Sequence, residues 1–404
     1  MAPFAAAITG IGLVTPAGIG VADNWARVVD GETAAAVDPA LEHLPVRISC
    51  RVPAFDAKEH GLRGARQWDR YTTFAMLAAH EALRAAGLST TEWDGTRVAV
   101  VIGSGAGGTL TLEEQHRTLL SDGPADISPQ TLPMGLLNMA AGQVAIAFGA
   151  NGPCLAPCTA CASGASAIGI GRDLLRLGAA DIVIAGGAEA PISPLYVASF
   201  ARMRALSRNP DPATASRPFD SARDGFVLGE GAGVMVLESE AHARARGARP
   251  VAKVIGYGAS ADAHHVTQPH PKGLGARLAM AAALADAEVS GREIRHVNAH
   301  GTSTQANDTT EAAVIRDLLS QDAQVTSTKG VTGHLLGAGA SVEAAYTALA
   351  VRDALIPPTA NLTDPEPGLD IDVVNKAARK STVDVAVSNS FGFGGQNVSL
   401  VLAS

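Results

Sequence analysis

Cys161 is the residue of this chain best suited to act as a nucleophile. It lies in the stretch Pro157–Ser166, among small residues, just before an alanine-rich apolar segment that predicts a helix. Backbone N–H groups at the N-terminus of a helix stabilise a thiolate and lower the pKa of a cysteine. We therefore predict a nucleophilic thiol with a lowered pKa at this position.

Two histidines lie in similar surroundings of glycine and threonine. In Val297–Thr304 a short apolar strand leads into His300, and in Ser327–Ala338 another strand leads to His334, which follows Gly333. Functional groups are often carried by loops on a rigid scaffold. One such histidine alone would favour a structural role, whereas two in matching surroundings favour a shared function.

A fourth segment, Asn389–Gly395, combines glycines with two phenylalanines. Two interpretations stay open for it. It is either an ordinary hairpin turn or a turn that lets the backbone approach a ligand closely and point N–H groups at it.

The elements that position these residues alternate along the chain. Short β-branched runs separate alanine- and leucine-rich helical stretches, which predicts an α/β protein with buried sheets. The segment Ala7–Gly12 is echoed by Ala252–Gly258, which indicates an internal duplication. We predict two halves, residues 1–245 with Cys161 and residues 246–404 with both histidines. The predicted strands are Arg97–Ile102, Ile182–Ala185, Val234–Leu237 and Val383–Val387, and the predicted helices are Thr72–Ala86 and Gly275–Ala287.

Composition excludes several classes of function. A net charge of −8 argues against nucleic acid as a general partner. No apolar run predicts a membrane span, and the first residues lack the basic start of a signal peptide, so we expect a soluble cytoplasmic protein. Gly103–Gly108 lacks the spacing of a dinucleotide-binding loop. Cys154, Cys158 and Cys161 lack a fourth ligand nearby for a structural zinc ion.

Taken together, these segments resemble the β-ketoacyl-acyl carrier protein synthases, specifically the elongating enzymes of the synthase II type. The similarity runs from Gly10–Pro16 to Asn397 and includes Arg217–Asp220 and Arg223–Gly231. Four segments carry it in the order of the family: Thr159–Gly164, Asn298–Thr304, Thr332–Ala338 and Phe391–Gly395. The resemblance implies the thiolase fold, a five-layered αβαβα sandwich of two duplicated halves.

The resemblance also implies a role for each site residue. An acyl group would move from a carrier protein to Cys161, with the backbone N–H groups of Cys161 and Phe393 forming the oxyanion hole, and Phe393 would also gate the pocket. His300 and His334 would stabilise the enolate formed when malonyl carrier protein loses CO2. No metal and no organic cofactor is implied. Lys329 and Glu343 would support the histidines, and the substrate would contact Thr302, Thr304, Ala106, Thr131, Phe391 and Gly394.

Some positions depart from the fatty-acid enzymes of the family. By the resemblance, Ala106 stands where a larger aliphatic residue is common, which would leave a wider acyl pocket, and Thr131 stands where an aromatic residue is frequent at the dimer contact that closes the far end of the pocket. We therefore hypothesise a ketosynthase of a specialised type II polyketide pathway, with a polyene as one candidate chain. The alternatives are a housekeeping synthase II and a non-catalytic partner subunit, although Cys161 argues against the latter. A thiolase would need a second cysteine where Phe393 and Gly394 stand.

The expected partners are acyl and malonyl carrier proteins and a second subunit. The second subunit would form a homodimer, or a heterodimer with a homologue resembling a chain-length factor. Carrier proteins are acidic, so a basic patch should flank the entrance to the site. The predicted contacts are Arg63, Arg66, Arg202 and Arg204. We expect neither nucleic acid nor membrane as a partner.

Overall fold

Two groups of five strands form the framework of the computed structural model, which describes residues 4–404. The middle residues of most of these strands are apolar and β-branched, as expected of buried strands. In the N-terminal half the strands are β1 (Ala6–Thr15), β2 (Val98–Gly103), β3 (Cys154–Leu155), β4 (Ile182–Glu189) and β5 (Gly231–Ser239). In the C-terminal half they are β6 (Ala252–Ala261), β7 (His296–Asn298), β8 (Gln324–Thr326), β9 (Val385–Gly392) and β10 (Gln396–Ala403).

The two groups share one topology. Their spatial orders are β1-β5-β4-β2-β3 and β6-β10-β9-β7-β8, so the first, fifth, fourth, second and third strands of each half follow one another. In both halves the inner pairs β2–β4 and β7–β9 are parallel, while β1–β5 and β6–β10 are antiparallel. The echoed segments Ala7–Gly12 and Ala252–Gly258 lie in β1 and β6, the first strand of each half. β1 and β6 also pair with each other and join the groups into one sheet.

Helices cover both faces of each group of strands. The long helices are α1 (Val21–Asp30), α2 (Arg70–Ala85), α3 (Thr109–Ser121), α4 (Met139–Phe148), α5 (Ser163–Arg176), α6 (Pro194–Arg202), α7 (Leu274–Asp286), α8 (Gln305–Leu318) and α9 (Gly339–Asp353). α2 and α4 cover the N-terminal strands from outside, and α7 covers the C-terminal strands. α5 and α9 lie between the two groups of strands. The predicted five-layered αβαβα sandwich is confirmed.

The central helices α5 and α9 approach each other closely because small residues line their contact. A Cβ atom on Gly164 would lie 2.7 Å from the backbone nitrogen of Ser341, which leaves no room for a larger residue. α5 follows the loop of Cys161, and α9 follows the loop of His334. Because the two helices hold equivalent places in the duplicated halves, the duplication brings both loops to the centre of the molecule.

The predicted elements are present with shifted ends. The predicted helices correspond to α2 and α7, each one or two residues earlier at its ends. The last predicted strand begins at Val385 instead of Val383. Val383 lies in the segment before the ladder, where it is buried but pairs with no neighbouring strand. Shorter helices occupy Thr131–Gly135, Pro212–Ala215, Glu240–Ala245 and Lys329–Thr332.

Buried His296 in β7 makes the stability of the fold sensitive to acid. Its Nδ1 lies 3.0 Å from the carbonyl oxygen of Gln324, and burial lowers its pKa from 6.5 to about 4. Between pH 6.5 and about pH 4 the unfolded chain binds a proton at this histidine that the folded chain does not bind. The free energy of unfolding is therefore largest above pH 6.5 and decreases as the pH falls toward 4. Between pH 7 and pH 5, we expect the free energy of unfolding of the wild type to decrease by about 2 kcal/mol more than that of His296→Asn. Urea unfolding at both pH values measures this difference.

The matched control for that measurement is His116→Asn, which changes an exposed histidine on α3. It should follow the wild type at both pH values. If His296→Asn also follows the wild type, His296 does not titrate as described.

Candidate active site

Three loops from different parts of the chain meet at the centre of the molecule. Cys161 lies in a 3-10 turn, Ala160–Ala162, directly before α5. His300 follows β7 by two residues, and His334 follows the short helix Lys329–Thr332. The hairpin between β9 and β10 adds the glycine-rich turn. That segment is therefore both a hairpin turn and part of the site, so its two interpretations are compatible.

The reactive groups are in direct contact. The sulfur of Cys161 lies 3.1 Å from Nε2 of His334, and the backbone N–H of Phe393 is close enough to the sulfur to favour its thiolate form. The rings of His300 and His334 have their centres 5.4 Å apart at an angle of 82°. All three side chains are buried, with at most 8% of their surface exposed. The arrangement offers a thiol, a proton acceptor beside it and an N–H group for an anion.

The environment of Cys161 corrects the prediction of a lowered pKa. Burial raises the pKa of the thiol to about 12, although Lys329 and the Phe393 N–H act in the opposite direction. The local sequence revealed the turn before a helix but not that the sulfur is enclosed, and desolvation disfavours the charged form. The resting group is the thiol, so the thiolate must form by proton transfer during the reaction.

Lys329 and Glu343 form a buried ion pair beside His300. The Lys329 ammonium donates to the carbonyl oxygen of His300 at 2.5 Å and to the Glu343 carboxylate, and it lies 3.5 Å from Nδ1 of His300. Burial and then the Lys329 charge hold the pKa of both His300 and His334 well below 6.5. Both imidazoles are therefore neutral at neutral pH.

Glu311 is a site residue that our sequence analysis missed. Its carboxylate accepts the backbone N–H groups of His300 and Gly301, each at 2.8 Å, and the Asn389 side-chain amide at 3.2 Å. It thereby fixes the loop that carries His300. A possible signal was the position of this acidic residue on the apolar side of α8, eleven residues after His300.

A cavity of about 460 Å³ opens onto these groups. Predicted residues in its lining are Cys161, His300, His334, Ala106, Thr302, Thr304, Phe391, Phe393 and Arg204. The hydroxyls of Thr302 and Thr304 lie 2.9 Å apart. A group of aromatic side chains that we did not predict also lines the cavity: Tyr196, Phe200 and Phe226. Phe200 contacts Phe226 and Phe393 with ring centres 5.4 and 6.2 Å apart.

Two predicted substrate contacts do not line this cavity. Thr131 begins the helix Thr131–Gly135, where its hydroxyl donates to the carbonyl oxygen of Ser128 at 2.6 Å, so its side chain satisfies its own turn. Gly394 adopts a φ of +80° in the hairpin, and its neighbours Phe393 and Gly395 face the cavity instead. Thr131 is predicted at a contact between two subunits, so its part in closing the pocket stays a prediction, as does substrate contact by Gly394.

The predicted arginines differ in their distance from the cavity. Arg204 lies at its lining and has a φ of +56°, so the chain turns sharply there. Arg63, Arg66 and Arg202 are exposed but do not line it. Their part in carrier-protein binding stays a prediction.

Two kinds of feature are absent from residues 4–404. Within that range, no helix is long and apolar enough to cross a membrane. The same residues contain no cluster of three or more histidine, cysteine or acidic side chains arranged to hold a metal ion.

Comparison with known proteins gives consistent matches over the whole chain. The sequence profile "Beta-ketoacyl synthase, N-terminal domain" matches residues 5–243, and "Beta-ketoacyl synthase, C-terminal domain" matches residues 251–363. A 3-oxoacyl-[acyl-carrier-protein] synthase 2 of Rhizobium meliloti (strain 1021) is 46% identical over 412 residues, which cover 98% of this chain and 97% of the relative.

Solved ketosynthase structures have the same fold. The ishigamide ketosynthase/chain length factor is similar with a TM-score of 0.94 at 32% identity, covering 100% of both chains. A type II PKS acyl-carrier protein in complex with its ketosynthase bound to the hexaketide contains a chain similar with a TM-score of 0.92. The two chains are 30% identical, and the match covers 100% of the present chain and 99% of the chain in that complex.

Proposed function

We propose that this chain, which belongs to the β-ketoacyl synthase family, is the ketosynthase of a specialised type II polyketide pathway. The general activity of the family is that of a β-ketoacyl-acyl carrier protein synthase, an acyltransferase that condenses an acyl group with a malonyl unit. The observation that carries the proposal is the 3.1 Å contact between the Cys161 sulfur and Nε2 of His334, in a cavity that His300 and Phe393 also line.

The first half-reaction transfers the acyl group to the enzyme. As Cys161 attacks the carbonyl carbon of the acyl thioester, its proton passes to Nε2 of His334, 3.1 Å away. The backbone N–H of Phe393, which is close enough to the sulfur to favour its thiolate form, can then donate to the oxyanion formed at that carbonyl. The intermediate collapses with loss of the carrier-protein thiolate, which takes the proton from His334. A thioester of Cys161 remains.

The second half-reaction forms the carbon–carbon bond. When malonyl carrier protein loses CO2, the electron pair of the broken bond becomes an enolate whose oxygen gains negative charge. The neutral imidazole of His300 can donate a hydrogen bond to this oxygen, and His334 can donate a second one in the tautomer that carries its proton on Nε2. The enolate carbon then attacks the acyl carbon, and the Cys161 thiolate leaves and takes up the one proton that the overall reaction consumes from solvent. The product is a β-ketoacyl chain on the carrier protein.

The lining of the cavity supports the specialised role. Ala106 contributes only a methyl group, while Tyr196, Phe200 and Phe393 present aromatic rings. Flat, stiff chains make favourable offset contacts with such rings. A housekeeping synthase II is the second candidate, which the 46% identity to a 3-oxoacyl-[acyl-carrier-protein] synthase 2 favours.

A second subunit of the same fold completes our proposal. The elements between β2 and the edge strand β3 expose large apolar side chains, which in an isolated chain would face water. They include Leu120 with 74%, Leu132 with 63% and Ile146 with 77% of their surface exposed. The partner is either a second copy or a homologue resembling a chain-length factor. We also place the boundary between the two halves near residue 245.

The test is a condensation assay with malonyl carrier protein and a panel of saturated and conjugated acyl carrier proteins. The protein is assayed alone and with any co-encoded homologue, and products are followed by intact mass. Preferential extension of conjugated chains, or activity only with the partner, supports the specialised ketosynthase. Efficient extension of saturated chains by the protein alone identifies a housekeeping enzyme, and no extension of any chain overturns both assignments.

Charge reversal at Arg204 should weaken binding of the carrier protein. Arg204 is exposed at the cavity lining, where it can meet the acidic surface of a carrier protein. We expect Arg204→Glu to raise the apparent KM for acyl carrier protein about tenfold at low salt, with little change in kcat. Steady-state assays at two salt concentrations measure both constants. Arg208→Glu, an exposed neighbour outside the lining, is the control, and equal KM values for both variants would contradict this role.

A further inference from the structure

Glu189, the last residue of β4, is a buried carboxylate that the proposed reaction does not use. None of its surface is exposed, and residues 4–404 provide no lysine, arginine or histidine within ion-pair distance of it. Burying a carboxylate without a cationic partner is costly, so such a residue must be stabilised by hydrogen bonds. Burial raises its pKa, and four hydrogen-bond donors oppose that shift.

The four donors come from two segments of the chain. Oε1 accepts the Ser104 hydroxyl at 2.8 Å and the Ala106 N–H at 3.0 Å. Oε2 accepts the Gly105 N–H at 2.7 Å and the Gly337 N–H at 2.9 Å. The Ser104 oxygen also accepts the Gly107 N–H at 2.9 Å, which closes the turn. One carboxylate thus joins the loop after β2 to the turn before α9.

Both segments form walls of the cavity. Gly105 and Ala106 line it from the loop after β2, and Leu336, next to Gly337, lines it from the opposite half. The contact is tight, because a Cβ atom on Gly337 would lie 2.6 Å from Oε2 of Glu189. Leu336 has a φ of +45°, an unfavourable conformation for a leucine that its surroundings must maintain.

We propose that Glu189 is a positioning residue that clamps these two walls and thereby determines which acyl chains the pocket accepts. The inference rests on the proposed function, since it concerns the acyl chain carried by Cys161. The clamp acts through distance: a carboxylate shorter by one methylene cannot reach both segments. Because three of the four donors are backbone N–H groups, their geometry cannot be restored by a change of side chain in either wall.

Glu189→Gln tests the clamp with minimal change of shape. A glutamine oxygen can accept from only one pair of donors, so at least one backbone N–H loses its partner. We expect hydrogen exchange to accelerate about tenfold in peptides that contain residues 104–108 and 335–338. We also expect the ratio of acylation rates of Cys161 for short and long acyl carrier proteins to change about tenfold.

The matched control is Glu81→Gln. Glu81 also accepts two backbone N–H groups, those of Leu13 at 2.9 Å and Val21 at 2.8 Å, but it does not line the cavity. This variant should leave the ratio of acylation rates and the exchange of both walls unchanged. Labelling of Cys161 by iodoacetamide should be no slower in Glu189→Gln than in the wild type, which separates loss of positioning from loss of the nucleophile.

Three outcomes would overturn the proposal. Exchange of both walls at the wild-type rate would show that Glu189 does not clamp them. If exchange is faster but the ratio of acylation rates is unchanged, the clamp does not set selectivity. If Glu81→Gln changes that ratio as much as Glu189→Gln does, the cause is a general loss of stability. If the wild type accepts no acyl group, the proposed function fails and with it the role in selectivity, while exchange still decides whether the clamp exists. Should Glu189→Gln not fold, Ser104→Ala removes one donor and is read in the same way.

Discussion

Replacing Cys161 with alanine is expected to lower the rate of condensation by at least about 10³-fold and to abolish the acyl-enzyme. Its sulfur lies 3.1 Å from Nε2 of His334, and the Phe393 N–H favours its thiolate form. Without it, the acyl group has no acceptor between the two carrier proteins. Intact mass after incubation with acyl carrier protein detects the adduct, and a condensation assay measures the rate.

The chain contains its own control for this variant. Cys158 lies three residues before Cys161 but is exposed, and its sulfur has only a weak contact, 3.9 Å from the carbonyl oxygen of Gly105. Cys158→Ala should form the acyl-enzyme at the wild-type rate. An acyl adduct that persists in Cys161→Ala, or disappears in Cys158→Ala, would assign the nucleophile to another cysteine.

Replacing either histidine is expected to lower condensation by about 10²–10⁴-fold, but at different steps. Nε2 of His334 contacts the sulfur, so His334→Ala should slow both acyl transfer to Cys161 and labelling by iodoacetamide. His300 contacts Lys329 and Phe391 instead, so His300→Ala should still form the acyl-enzyme within about tenfold of the wild-type rate. It should then fail to condense it with malonyl carrier protein.

Single-turnover acylation and product formation, each followed by mass, separate the two steps. His116→Ala, which changes an exposed histidine on α3, is the control and should behave as the wild type. Equal losses of acylation in both active-site variants would contradict this division of roles. Since both imidazoles have a pKa well below 6.5, wild-type activity should not decline through their protonation as the pH falls from 8 to 6.5.

Much of the fold was predictable because its pattern is local. Runs of β-branched residues indicated β2, β4 and β5, and the echo between Ala7–Gly12 and Ala252–Gly258 indicated two related halves. The structure shows that these segments are equivalent first strands of one shared topology. The ends of the elements were less predictable, since pairing with a neighbour and not composition decides where a strand begins.

The reactive residues were also predictable, because each lies in a short segment with a recognisable setting. Cys161 precedes an apolar helix, and His300 and His334 lie in turns rich in glycine and threonine. Their chemistry depends on residue type, which the sequence gives directly. That these residues lie together in one cavity was predicted only by the resemblance to a family.

Only the tertiary structure decided how these residues are tuned and what encloses them. Cys161 and His334 are 173 positions apart, and Glu189 meets Gly337 across 148 positions. Such contacts leave no local pattern, so Glu189 and the aromatic side chains Tyr196, Phe200 and Phe226 escaped prediction. The pKa of Cys161 shows the reason: the nearby helix favours a thiolate, but the folded chain removes the sulfur from water, and desolvation outweighs every local contribution.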